Sequence, residues 1–177
     1  QYYPNPTLLG SYALEDIRYD AYFADVEDDD GFPRTTLIKH EAKIAQIRNP
    51  DGVVNFKAFR TGEMYLIRAE AYARKGGAWE GASMDDLNTL RASRIVAYSP
   101  ESLTGAALMN AIALERRKEL VGEGHRWFDL KRTTKTINRT FCTSFCNLPS
   151  TSRAWNWPIP QPEIDANPNI GPQNTGW

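Results

Sequence analysis

The segment Glu115-Arg116-Arg117-Lys118-Glu119-Leu120-Val121-Gly122-Glu123-Gly124-His125-Arg126-Trp127-Phe128-Asp129-Leu130-Lys131-Arg132 concentrates ionisable side chains at spacings that could do chemistry. On a helix, Glu115, Glu119 and Glu123 fall on one stripe, with Arg116 and Leu120 on the next. Two carboxyl groups can cleave a glycosidic bond, one protonated and one ionised, when they flank the sugar from opposite sides. Carboxylates one turn apart on a single helix point the same way, so hydrolysis would need a further acid facing them across an open, sugar-sized hollow. The competing chemistry is structural. Glu115, Arg116, Glu119, Glu123, Arg126 and Asp129 would form ion pairs that fix one helix to the next, orienting the elements more than stabilising them. The spacing favours this second reading.

Other residues offer less. Cys142 and Cys146 stand four apart in Phe-Cys-Thr-Ser-Phe-Cys, which suits either a local disulfide or two buried thiols. A metal site would need a further ligand, and neither His40 nor His125 is spaced to join the pair. Glu27-Asp28-Asp29-Asp30-Gly31 is rich in oxygen ligands but lacks the alternation and closing bidentate Glu of a calcium loop, so it reads as a solvated turn. No metal and no cofactor is expected. Exposed rings could contact a ligand. Trp79, flanked by glycines, and Tyr2-Tyr3 are the candidates, whereas Trp127, Trp155 and Trp157 are expected in the core.

The elements that must position these groups follow from periodicity. Residues 1–60 are broken by Pro4, Pro6, Gly10, Gly31 and Pro33 and by the turn Asn49-Pro50-Asp51-Gly52. Short strands are expected there, one over 35–39 and one after the turn through Val53, Val54, Phe56, Ala58 and Phe59, making a hairpin around residue 51. From Thr61 the period becomes helical, with Tyr65, Ala69 and Tyr72 on one stripe and Met64, Ile67 and Ala71 beside it, until Gly76-Gly77. Ser83 with Asp86 resembles a capping box opening a second helix through Leu87, Leu90, Ala92 and Ile95, antiparallel to the first. Thr104 caps a third helix with Leu108, Ala111 and Ile112 on its apolar face, closed by Gly122 and Gly124. A short fourth helix over 126–132 would pack Trp127, Phe128 and Leu130. Five prolines, at 158, 160, 162, 168 and 172, predict an extended tail without helix.

These elements define a mainly α chain with irregular and short β segments. It partitions into an irregular, hairpin-bearing region (1–60), a helical region (61–135) and a loop-rich, proline-rich tail (136–177). With 21 basic and 22 acidic side chains, the net charge of -1 offers no field to gather a polyanion along the surface, which argues against nucleic acid as a partner. No run of residues is apolar for long enough to span a bilayer.

Taken in order, four blocks resemble the carboxy-terminal half of SusD/RagB proteins. They are Arg60-Thr61-Gly62-Glu63-Met64-Tyr65-Leu66-Ile67-Arg68-Ala69-Glu70-Ala71-Tyr72; Leu87-Asn88 with Arg91; the charged segment from Glu115 to Arg132; and Trp157-Pro158-Ile159-Pro160 with Glu163-Ile164 and the closing Asn167-Pro168-Asn169-Ile170-Gly171-Pro172-Gln173-Asn174. The likeness is close over 60–177 and looser before it, through Asp16-Ile17-Arg18. It implies tetratricopeptide-like helix pairs beside an extended loop-rich region. It also implies a non-catalytic lipoprotein on the outer-membrane surface of Bacteroidetes-type bacteria, with the lipid anchor and the first repeats upstream of Gln1. The implied partners are an oligosaccharide or polysaccharide ligand, a SusC-like TonB-dependent transporter, and the upstream part of the same protein. A tetratricopeptide-like peptide-binding adaptor and, behind it, a glycoside hydrolase are the alternatives.

Overall fold

The computed structural model describes residues 4–27, 30–40, 42–44, 47–49, 58–140, 142–167 and 169–177. It divides into two compact units, 1–124 and 125–177. The fold is mainly α with short β hairpins.

In the first unit α1 (Pro6–Leu9) and α2 (Arg18–Tyr22) precede β1 (Phe23–Glu27), which pairs antiparallel with β2 (Pro33–Leu37) from Phe23↔Leu37 to Glu27↔Pro33. The expected strand over 35–39 thus begins two residues early and has a partner the periodicity did not reveal. A second hairpin joins β3 (Ala42–Ile44) to β4 (Ile47–Asn49). The turn expected around residue 51 lies outside the described residues, as do Val53, Val54 and Phe56.

Three helices follow, α3 (Thr61–Lys75), α4 (Glu80–Ala92) and α5 (Gly105–Glu119). α3 stops at Gly76, whose φ of 69° is open to glycine at little cost. A single 3-10 turn at Gly77–Trp79 then leads into α4. The three helices share a core of Leu66, Ala69, Ala73, Met84, Leu87, Leu90, Leu108 and Ile112. Small side chains at 69 and 73 let α4 come close, and the buried Ser83 hydroxyl donates to the Ala69 carbonyl (2.7 Å). Ser83 therefore lies inside α4 and is no cap, because the helix already begins at Glu80. The inward face of α3 also differs from the expected stripes. Leu66, Ala69 and Ala73 are buried, whereas Met64, Ile67 and Ala71 face outward. α3 is apolar around much of its circumference, so periodicity alone could not choose the face. Ile95 falls beyond the end of α4, where it bridges Asp16.

That bridge fastens the amino-terminal segment to the end of α4: Ile17 N–H donates to the Arg94 carbonyl (2.9 Å) and Val96 N–H to that of Glu15 (3.0 Å). A second small core of Leu8, Tyr12, Phe23 and Val121 seals the same region. The rings of Tyr12 and Phe23 meet edge to face, 5.6 Å apart.

The second unit contains α6 (His125–Arg132), a hairpin of β5 (Ile137–Asn138) and β6 (Asn147–Leu148), and α7 (Gln161–Ala166). Cys142 and Cys146 are bonded across the hairpin, their Cα atoms 5.4 Å apart. Trp155 is buried, lies 4.6 Å from the Trp127 ring and donates its indole N–H to the Pro149 carbonyl (2.7 Å). Trp157 and Phe128, expected inside, are instead 76% and 68% exposed. The tail is not purely extended. α7 opens at Pro160, whose carbonyl accepts from Glu163 and Ile164 N–H (3.0 and 3.3 Å), and Pro162 sits in its first turn, where a missing N–H breaks no hydrogen bond.

Leu87 is fully buried between the three helices. Leu87→Ala is expected to lower the unfolding free energy by about 2–5 kcal/mol, read as an earlier urea midpoint at unchanged slope.

Candidate functional site

α5 buries one continuous stripe, Leu108, Ile112, Glu115 and Glu119, at i, i+4, i+7 and i+11. Its first half is apolar and its second half anionic. Glu115 and Glu119 are both fully shielded from solvent, so their charge must be met inside the protein.

Arginines meet it. Arg18, itself 2% exposed, donates to Glu115 Oε1 (2.6 Å), to Glu119 Oε2 (3.0 Å) and to both oxygens of Asp16 (2.8 and 2.7 Å). Arg91, in the last turn of α4, donates to Glu115 Oε2 (2.7 Å). Arg94 just beyond α4 takes both Glu119 oxygens (3.0 and 3.1 Å), and Arg60 ahead of α3 reaches Glu119 Oε1 (2.9 Å). Lys118 pairs with Asp16 (3.0 Å), and Arg116 turns to Glu63 on α3 (3.0 Å). Gly62 stands where α3 approaches most closely, since a Cβ there would lie 2.7 Å from Glu119 Oε1.

The network continues past the end of α5. Lys39 pairs with Glu123 (2.5 Å) and donates to the carbonyls of Glu119 (2.7 Å) and Val121 (3.2 Å), with the Tyr22 ring 4.1 Å from its nitrogen. Arg60 also donates to the Glu119 carbonyl (2.6 Å) and to Glu123 (3.1 Å). Cations at these carbonyls face the negative end of the helix dipole. Burial pushes the Lys39 ammonium down to about 8, with the Glu123 carboxylate acting against it. For Glu119 burial would raise the carboxyl, but Arg94, Arg18 and Arg60 outweigh it and hold the group down at about 2. Asp16 is likewise held below the usual range by Arg18 and Lys118, against its own burial.

A second acid, Asp16, does approach Glu115, yet the Arg18 guanidinium bridges the two and all three groups are closed to solvent. A sugar ring has no access to them. Glu119 is locked ionised by three guanidiniums and has no proton to give a leaving oxygen.

Of the residues singled out from sequence, Glu115, Glu119 and Glu123 meet in one network, and Arg116 joins α5 to α3. Arg126 and Asp129 lie on α6 in the second unit, where Asp129 accepts from Arg132 (2.9 Å). Sequence reasoning missed the cations that surround the acids. Arg18, Lys39, Arg60, Arg91, Arg94 and Lys118 are scattered over 101 positions of separation from Glu119 at the extreme. Among the aromatic candidates, Trp79 is 40% exposed, stacks on Tyr72 (5.4 Å, 15°) and has the Lys75 nitrogen 3.5 Å from its centroid. Tyr2 and Tyr3 lie outside the described residues.

A mainly helical unit, cross-braced by buried charge and fringed by short hairpins, defines a helical scaffold. Residues 31–177 match the model of the SusD family. The chain is 31% identical over 147 residues to the SusD-like protein P2 of Formosa agariphila, an overlap covering 77% of this chain and 28% of that protein. A SusD superfamily structure from Bacteroides thetaiotaomicron superposes with a TM-score of 0.75 at 28% identity, over 95% of this chain and 39% of that one. A SusD-like carbohydrate binding protein from Bacteroides vulgatus gives 0.61 at 25% identity, over 77% and 28% respectively. The chain belongs to the SusD family. It spans 28% of the length of the curated relative and 39% of the Bacteroides thetaiotaomicron structure.

Glu119 sets two expectations. Glu119→Gln should cost roughly 3–5 kcal/mol, because it leaves arginines buried without their counter-charge. The unfolded carboxyl takes up a proton as pH falls through about 4.5, whereas the folded one holds out to about 2. The unfolded state therefore binds more protons in that window, and stability that is intact above it is lost as pH falls through it, by about 3 kcal/mol in all. Denaturant titrations from pH 6 to 2.5 should show this acid slope in the wild type and a flatter one in Glu119→Gln.

Proposed function

We propose that the chain is part of a non-catalytic cell-surface protein that captures oligo- or polysaccharides and passes them to a TonB-dependent outer-membrane transporter. Membership of the SusD family carries this reading. The related Bacteroides vulgatus protein, described as carbohydrate binding, supports the ligand class. The buried, arginine-bound state of Glu115 and Glu119 supports capture over cleavage, since the paired acids of the charged segment are engaged in holding helices together. The protein would sit at the outer membrane through a lipid anchor supplied by an upstream segment. The remainder of the polypeptide would complete the ligand surface, in keeping with the fraction of its relatives that this chain spans.

Among the aromatic candidates Trp79 is the described one, and we assign it to the sugar. Its ring is partly exposed and is held in place by Tyr72 and Lys75, so little side-chain entropy would be lost on stacking.

The test uses the whole protein on gels containing one polysaccharide each, with reducing ends assayed in parallel. At least one polysaccharide should retard the protein without any release of reducing sugar. Trp79→Ala should weaken that interaction roughly three- to tenfold. Sugar release that disappears in Glu115→Gln would replace capture by hydrolysis, and failure of every polysaccharide to bind would remove the glycan assignment. Co-purification of a plug-and-barrel transporter with the tagged protein is the expected sign of the partner.

A further inference from the structure

We propose that the second unit carries a pocket for an anionic saccharide, enclosed by α6, the turn at Arg153–Trp155 and the last residues of the chain. The inference rests on the glycan-binding reading and adds to it a site and a charge class. A cavity of about 520 Å³ opens there, within the range of small-ligand sites. Leu130 and the ring of Trp155 supply apolar wall, and both are buried. Thr134, Ser150, Thr151 and Thr175 line the rest.

The charge in the wall is of one sign. Lys131 and Arg153 both line the cavity, and among the described residues no Asp or Glu does. Each cation is held by neutral oxygens. The Lys131 ammonium donates to the Trp155 carbonyl (3.1 Å) and to Asn156 Oδ1 (2.8 Å), which uses two of its three protons and leaves one for a ligand. Arg153 donates one N–H to the Gly176 carbonyl and lies over the Trp177 ring, 4.4 Å from its centroid. Its remaining donors are available.

Arg153 is also fixed by shape. Gly176 adopts a φ of +92°, and a Cβ built on it would lie 3.2 Å from both Cβ and Cδ of Arg153. The glycine thus makes room for the arginine stem, and the chain's end holds the guanidinium at the cavity.

These features select a ligand. Two exposed cations with no carboxylate partner among the described residues favour an anion, and a planar guanidinium beside an ammonium suits a carboxylate or a sulfate. A free inorganic ion would engage the cations and ignore the hydroxyls and the apolar wall. A sugar ring bearing the anion uses all three, with its hydroxyls on the threonines and serines and its C–H face on Leu130 and Trp155. Lys131 and Arg153 are both exposed to water, so an anion beside them gains an attraction, weakened by salt, that a neutral sugar lacks.

The test is calorimetric titration of the whole protein with three oligosaccharides of equal length, one neutral, one of uronic acids and one sulfated, at low and at moderate salt. An acidic oligosaccharide should bind at least tenfold more tightly than the neutral one, and the advantage should shrink as salt is raised. Whichever of the two acidic oligosaccharides binds more tightly identifies the anion as carboxylate or sulfate. Lys131→Met with Arg153→Met should abolish the preference. Thr151→Glu should do so as well, and it puts a carboxylate into the cavity without removing any hydrogen bond described above, so its result does not hinge on the stability of the double variant. Equal affinity for neutral and acidic oligosaccharides, or an acidic preference that survives Thr151→Glu, overturns the pocket and leaves glycan capture standing. Binding to none of the three, in a protein that also binds no polysaccharide on gels, overturns both.

Discussion

Burying Glu115 and Glu119 on the same face that buries Leu108 and Ile112 sets the terms for the first unit. A helix that carries apolar and anionic residues on one stripe needs two different surroundings along its length. Over its first half the need is met by side chains of α3 and α4 that exclude water. Over its second half it requires guanidiniums, brought from α2, from the residue ahead of α3 and from the end of α4. Because an isolated buried carboxylate is so costly, each of these elements has little freedom to sit anywhere else. The network gives orientation more than net stability, since desolvating so many charges offsets much of their attraction.

This bears directly on function. Glycosidase chemistry wants two acids with different proton affinities and an open space between them. Here the acids are enclosed and shared among arginines, an arrangement suited to a rigid frame. A frame of this kind can hold side chains at fixed places on its surface, as the proposed capture of a polysaccharide requires. Ordering side chains in advance spares the entropy that a flexible surface would lose on binding.

The helices were the most legible part of the sequence. α5 and α6 lie close to where their periodicity and glycines put them, because a helix is a local object, whereas α4 begins three residues ahead of Ser83 and stops short of Ile95. Which side of α3 faces inward was not legible, since Met64, Ile67 and Ala71 make as good an apolar stripe as Leu66, Ala69 and Ala73, and only the position of α4 decides between them. The acids of the network were visible as a run, but their partners were not. Arg18, Lys39 and Arg94 look like ordinary surface residues until the fold brings them to α5. Trp157 was misjudged for a related reason: a large ring beside proline often packs, but whether it does depends on what the chain lays over it. The pocket in the second unit had no local signature, since its cations come from a helix and a loop that are 22 positions apart, the number separating 131 from 153.

Lys39 stands two residues past β2 and, with Arg60, holds the last carbonyls of α5. The hairpin region is thus wired electrically into a helix that begins 66 positions later, counting from 39 to 105. A gene fusion that kept everything from Thr61 onward would look complete on a map of helices, yet it would leave Glu119 without Arg18 and Arg60 and the tip of α5 without its ammonium. The smallest heritable piece of this architecture therefore includes its least regular stretch, and recombination in such genes should respect that stretch as part of the helical cassette.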